Sequence, residues 1–179
     1  MDDVIFLRAL ELSDAERLVK WRNDPQITNL LGGNTFFVSV YRETEWLRKI
    51  MLDDSENLRL AICLSDKSSH IGLVNITNIN WINRNAEFSI LIGEKIHWGK
   101  GYAKQAALLA LNHAFKELNL NRIYLKVRTD NQKALDLYKK LGFLTEGVLR
   151  NELYKNGSYI SLIVMSILKN EFNERFKSI

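Results

Sequence analysis

The sequence predicts an α+β fold, a mixed sheet of about seven strands carrying four helices. Three observations lead there. Residues 58–92 read as three consecutive apolar strands with tight polar connections, the pattern of an antiparallel meander. Residues 86–104, AEFSILIGEKIHWGKGYAK, read as a strand that ends at Gly93 and a long helix that begins at Gly101. Asn156-Gly157 lies between two strand-like runs, a strong hairpin signal.

Taken in order, Val4 to Leu7 is a first strand. Ser13-Asp14-Ala15-Glu16 has the form of a capping box, so a helix is expected from there to about Arg22, with Pro25 as its stop. Residues 26–38 contain Leu30-Leu31-Gly32-Gly33-Asn34 and read as a loop. Trp46, Leu47, Ile50 and Met51 fall at helical spacing within a second helix, from Ser39 to about Leu52. The meander strands are Leu58–Leu64, Ile71–Ile79 and Phe88–Ile92, turning at Asp66–Ser69 and Asn83–Asn85.

The helix from Gly101 carries Ala103, Ala107, Ala110 and Ala114 in one stripe, which would let it approach a sheet closely. Arg122–Arg128 alternates as a strand. Asp130-Asn131 opens a short helix with Ala134, Leu137, Tyr138 and Leu141 on its apolar face and Gly142 past its end. Leu144–Leu153 and Tyr159–Leu168 are the last two strands. Without repeats, low-complexity segments or linkers, residues 1–179 are expected to form one domain.

Bulk properties exclude several classes. The chain is 46% hydrophobic and 26% charged, with no run of transmembrane length and no signal-peptide pattern in its first residues. Its single cysteine, Cys63, lies in an apolar run and reads as a buried inert thiol, which together point to the cytoplasm. A net charge of +4, spread along the chain and interleaved with acids, gives no nucleic-acid footprint. His70, His97 and His113 have no metal-ligand spacing. Trp21, Trp46, Trp81 and Trp98 are not interleaved with basic residues and read as packing groups.

The strand, glycine turn and helix start at residues 86–104 present free backbone N–H groups at the positive end of a helix dipole, an anion site. The wording is not that of a dinucleotide loop, since Lys104 stands where a third glycine belongs. Nor is it a Walker loop, which needs a longer spacer and a Lys-Ser/Thr pair.

Gly99-Lys100-Gly101-Tyr102-Ala103, Asn131-Gln132-Lys133-Ala134 and Leu137-Tyr138-Lys139-Lys140-Leu141-Gly142-Phe143 together resemble the GCN5-related N-acetyltransferase superfamily. The likeness covers residues 71–168 well and the first 60 in outline. It is nearest to the branch of bacterial spermidine/spermine acetyltransferases and ribosomal-protein N-terminal acetyltransferases, with Ala86-Glu87-Phe88 as one mark. Trp98 departs from the pattern, standing where Gln or Arg is usual.

The resemblance implies acetyl-CoA as co-substrate, held where the Phe88 strand splays from the Ile123 strand. Pantetheine would pair along Leu91, Ile92 and Gly93, and a backbone N–H near Leu91 would serve the oxyanion. The diphosphate would meet Trp98, Gly99, Lys100, Gly101, Tyr102, Ala103 and Lys104. Asn131, Lys133, Ala134 and Tyr138 would complete the cofactor contacts. Tyr138, a core aromatic by periodicity, falls in the family's acid position. Glu87 is either a base acting through water or a surface partner of Arg84; Asn131 is a cofactor contact, a helix N-cap, or both.

The implied reaction is acetyl transfer to a primary amine by direct attack in a ternary complex; the alternative is a non-catalytic acyl-CoA-binding module. The acceptor is a polyamine, an amino sugar or a protein N-terminus, with no nucleic acid or membrane as partner and homo-oligomerisation left open. Asn75 and Asn78 stand where the polyamine enzymes have acids, and residues 30–34 are neutral, so spermidine is expected to be a poor substrate. Trp21-Arg22-Asn23-Asp24 resembles a helix end of some amino-sugar acetyltransferases.

Overall fold

The computed structural model describes residues 4–32, 37–52, 55–65 and 69–177. Gly33 and Asn34 of the expected loop, and residues 66–68 of the expected turn, lie outside them.

A seven-stranded sheet organises the chain: β1 (Ile5–Ala9), β2 (Leu58–Leu64), β3 (His70–Asn80), β4 (Asn85–Ile92), β5 (Arg122–Arg128), β6 (Leu144–Lys155) and β7 (Ser158–Leu168). Their spatial order is β1-β2-β3-β4-β5-β7-β6. Among the described residues only β4 and β5 run parallel. That pair needs a crossover, and α4 (Tyr102–Lys116) supplies it. The remaining helices are α1 (Ala15–Arg22), α2 (Pro25–Thr28), α3 (Val40–Leu52), α5 (Gln132–Leu141) and α6 (Lys169–Arg175).

Alternation along the strands builds a core on each face of the sheet. Ile62, Val74, Phe88, Ile123 and Leu125 join a cluster under α4, where Ala106, Ala107, Ala110 and Ala114 are fully buried. Small residues on that face bring the helix axis close to the sheet. Ala61, Cys63 and Leu73 point the other way and pack with Leu18, Trp21, Ile27 and Leu47 of the N-terminal helices.

The expected capping box does not form. Ser13 and Glu16 are exposed, and a 3₁₀ turn at Leu12–Asp14 precedes α1. Asp14 is buried instead. Its carboxylate accepts from the Glu11 N–H at 2.9 Å and from both Arg8 terminal nitrogens at 2.8 Å. His70 Nδ1 lies 2.9 Å from the same carboxylate, and its Nε2 lies 2.8 Å from the Gly72 carbonyl. Two near partners, Arg8 and the Glu11 amide, and one distant one, His70, thus decided which acid is buried here.

Pro25 likewise starts a helix rather than only stopping one. It sits in the first turn of α2, with Asp24 capping through the Gln26 N–H at 2.9 Å. The described residues hold six α-helices, not four. The two extra, α2 and α6, are one or two turns long, too short for hydrophobic periodicity to show.

Candidate active site

The site begins where the β4–β5 pairing stops. The two strands register from Asn85↔Arg122 to Glu87↔Tyr124, and no further, while β5 continues on β7 as far as Arg128↔Leu162. Phe88 to Ile92 therefore keeps β3 on one side and opens on the other. The Gly93 N–H donates to Ile71 O at 2.9 Å, across to β3. By the two-residue alternation of an antiparallel ladder, the N–H groups of Leu91 and Gly93 face β3. Those of Ile90 and Ile92, on either side of Leu91, face the opening. An oxyanion donor near Leu91 is the expectation; the Leu91 N–H itself faces β3, which leaves the N–H groups of Ile90 and Ile92 as the two candidates on the open side.

Beyond β4 the chain makes a 3₁₀ turn, Lys95–His97, and then the glycine loop. Gly99 and Gly101 adopt φ of +77° and +84°, a region that costs little only for glycine, and open space surrounds both. Among the described residues, the N–H groups of Gly99, Lys100, Gly101, Tyr102 and Ala103 donate to nothing. Five unpaired amides converge at the start of the 15-residue α4, which fits a diphosphate. Lys100 and Lys104 are exposed beside them. The Trp98 indole N–H donates to Ile92 O at 2.7 Å, tying the loop back to the end of β4.

A cleft of about 510 Å³ lies along the open edge. Ser89, Ile90 and Leu91 form one wall; Leu31 and Gly32 stand on the N-terminal side. It holds two carboxylates, Glu87 and Glu152, and two cations, Arg22 and Lys126. Arg22 is engaged by Glu43 at 2.8 Å, a carboxylate only 3% exposed whose proton affinity burial raises. Glu87 accepts from the Asn78 side chain at 3.0 Å and makes no ion pair with Arg84 among the described residues. Asn75 donates to Ser89 Oγ at 3.0 Å. Neither Glu152 nor Lys126 has an ion-pair partner among the described residues.

Tyr138 sits on α5, 7% exposed, edge-on to Phe88 at 6.4 Å and 5.7 Å from the Phe143 ring. Burial pushes its phenol up to about 12. Among the described residues its hydroxyl has no hydrogen-bond partner. Asn131 caps α5, accepting from the Ala134 N–H at 3.2 Å, and its amide also donates to Leu30 O at 3.2 Å. Lys133 is exposed in the first turn of that helix.

Glu152, Lys126 and the Arg22–Glu43 pair were not legible as site residues. They come from β6, β5, α1 and α3; Arg22 alone lies in a stretch singled out by sequence, Trp21-Arg22-Asn23-Asp24, and there without a role. The histidines stay outside the cleft lining, and no group of three metal-ligating side chains occurs among the described residues. Cys63 is fully buried, with its thiol pushed up by burial. No described helix is long and apolar enough to cross a membrane.

The splayed parallel pair and the open glycine loop define an acyl-CoA-dependent transferase class. Residues 5–144 match the acetyltransferase (GNAT) domain, and the chain belongs to that family. A spermidine N(1)-acetyltransferase of Vibrio cholerae is 35% identical over 175 residues, 98% of this chain and 99% of the relative. A crystal structure of a Vibrio cholerae spermidine N-acetyltransferase with CoA and spermine superposes with a TM-score of 0.88 at 34% identity, covering 94% of this chain and 98% of that one. A dodecameric structure of the Vibrio cholerae enzyme gives 0.82 at 33% identity, covering 96% and 98%. The chain is thus an acetyl-CoA-dependent N-acetyltransferase acting on a primary amine.

Proposed function

We propose that the acceptor is an aliphatic polyamine, acetylated in a cytoplasmic setting by a single-domain chain that assembles with copies of itself. The observation that carries the acceptor is the pair of carboxylates, Glu87 and Glu152, without cationic partners at the open edge of β4. Glu152 supplies a negative charge that the sequence reading lacked, and so the polyamine leads despite neutral Asn75 and Asn78. Relatives that are spermidine N-acetyltransferases, one of them solved with CoA and spermine, support the same choice.

Acetyl-CoA supplies an activated acetyl thioester; the rest of the chemistry falls to the chain. The amides of Gly99 to Ala103 hold the diphosphate, with Trp98, Lys100 and Lys104 around it and Asn131, Lys133 and Ala134 at the neighbouring helix start. The open edge that runs through Leu91, Ile92 and Gly93 receives the pantetheine as an added strand, with Ile90 and Ile92 turning their backbone groups outward while Leu91 and Gly93 turn theirs to β3. The N–H of Ile90 or Ile92 donates to the oxygen that becomes negative as the amine attacks. A primary amine has a pKa of roughly 10 and must lose a proton first. Glu87 accepts it, directly or through water, while the Asn78 amide holds that carboxylate in place. Tyr138 returns a proton to the departing thiolate.

A second reading has its own observation. Lys126 and the two asparagines favour an acceptor with one amine and a neutral or anionic remainder, such as an amino sugar or a peptide N-terminus. CoA release across polyamines, amino sugars, amino acids and peptides separates the two. The polyamine reading expects spermidine turnover that weakens with salt, and a loss of about tenfold or more in kcat/KM for Glu152→Gln. Turnover of amino sugars or peptides with none of spermidine overturns it.

A further inference from the structure

Four successive carbonyl groups at the end of α2 meet donors from the far side of the cleft. Lys155 Nζ donates to Thr28 O and, at 2.8 Å, to Leu31 O. The Arg128 guanidinium donates to Asn29 O, and the Asn131 amide to Leu30 O at 3.2 Å. Asn156, in the β6–β7 turn, adds a bond of 3.2 Å to the Asn29 side chain. The last carbonyls of a helix need partners from outside it, which a glycine-centred turn often provides. Here the Leu31 N–H reaches Thr28 O at 3.1 Å, and donors from β5, the start of α5 and the β6–β7 hairpin add the remaining bonds.

The other end of the same segment is tied as well. Lys95, just past β4, donates to Asp24 Oδ2 at 2.7 Å and to Gln26 Oε1 at 2.9 Å. Residues 24–31 thus run as a strap from the β4 limb of the splay to the β5 limb, and Leu31 and Gly32 at its end line the cleft. Lys155 is 6% exposed, although an ammonium group is costly to bury unless its donors are used. Two of its three donors are spent on fixing the strap.

We propose that Lys155, with Arg128 beside it, is a positioning residue for amine selection: it sets the wall at Leu31 and Gly32 against which the acceptor packs. The inference rests on the reading that this cleft receives the amine. The five free amides of the glycine loop are not part of the strap, and Asn131, the one residue shared with the cofactor side, keeps its cap on the Ala134 N–H at 3.2 Å without Lys155, so the effect falls mainly on the acceptor.

The test uses the full chain carrying Lys155→Met, which keeps the stem and removes the donors. Arg128→Gln, too short to reach Asn29, is the second variant should the first fail to fold. Expected are a rise of tenfold or more in KM for the preferred amine, with kcat and acetyl-CoA Kd within about twofold of wild type. Amide hydrogen exchange across residues 27–32 should accelerate at least tenfold. Unchanged amine KM, or an equal loss of acetyl-CoA affinity, overturns the proposal. If the wild type acetylates no amine in the panel, the functional reading falls by itself. Exchange then decides the strap: acceleration confined to residues 27–32 supports the clamp, and unchanged exchange refutes it.

Discussion

Tyr138→Phe isolates one atom. The ring remains edge-on to Phe88 and beside Phe143, so the packing that buries it is kept. The lost hydroxyl has no hydrogen-bond partner among the described residues, so folding gives up no protein bond. Stability should therefore move by no more than about 0.5 kcal/mol, below the usual worth of one hydrogen bond. A lost general acid costs on the order of 10²-fold in rate, equivalent to about 2.7 kcal/mol of barrier. Burial holds the phenol at about 12, so it stays protonated across the working range. No alkaline fall in kcat below pH 10 should come from this group. The assay is CoA release at saturating acetyl-CoA and amine, beside thermal unfolding and acetyl-CoA binding on the same preparation. Wild-type kcat in a folded Tyr138→Phe enzyme would refute the acid role; a large loss of stability with intact turnover would mark the residue as structural.

Gly101→Asp adds a side chain and a negative charge at a position of positive φ within the five-amide cradle. Acetyl-CoA affinity should fall at least tenfold by calorimetry, and unchanged affinity in a folded variant would refute the diphosphate placement. Burial raises the Asp14 carboxyl, but the bonds from Arg8 and the Glu11 amide and the charge on His70 outweigh it and bring it to about 2. Because this folded value lies below the unfolded value of 3.8, the stabilisation is complete above about pH 4 and is lost as pH falls through 2. Urea unfolding should show the wild type losing about 2 kcal/mol more than Asp14→Asn between pH 5 and pH 2. Parallel pH profiles for the two proteins would refute the assignment.

Much of the framework was legible in the residues themselves. The meander, the Asn156-Gly157 hairpin and the glycine loop are local features, written in alternation and in backbone conformations that glycine and asparagine tolerate. Gly142 ends α5 with φ of +94° for the same reason. The cofactor side of the site draws on two short continuous stretches, 91–104 and 131–138, so its wording survives in sequence. The acceptor side is not continuous. Glu152 lines the cleft from the edge strand β6, inside the register shift between Leu149 and Leu153, and neither strand order nor that irregularity leaves a local mark. Asp14 is buried because Arg8, the Glu11 amide and His70 compensate its charge; two of those are adjacent in space through strand pairing, not through spacing. The strap over the cleft is held by donors from about 70 to 127 residues away along the chain. Local periodicity decides which face a residue takes, and only long-range packing decides which distant side chain it meets there.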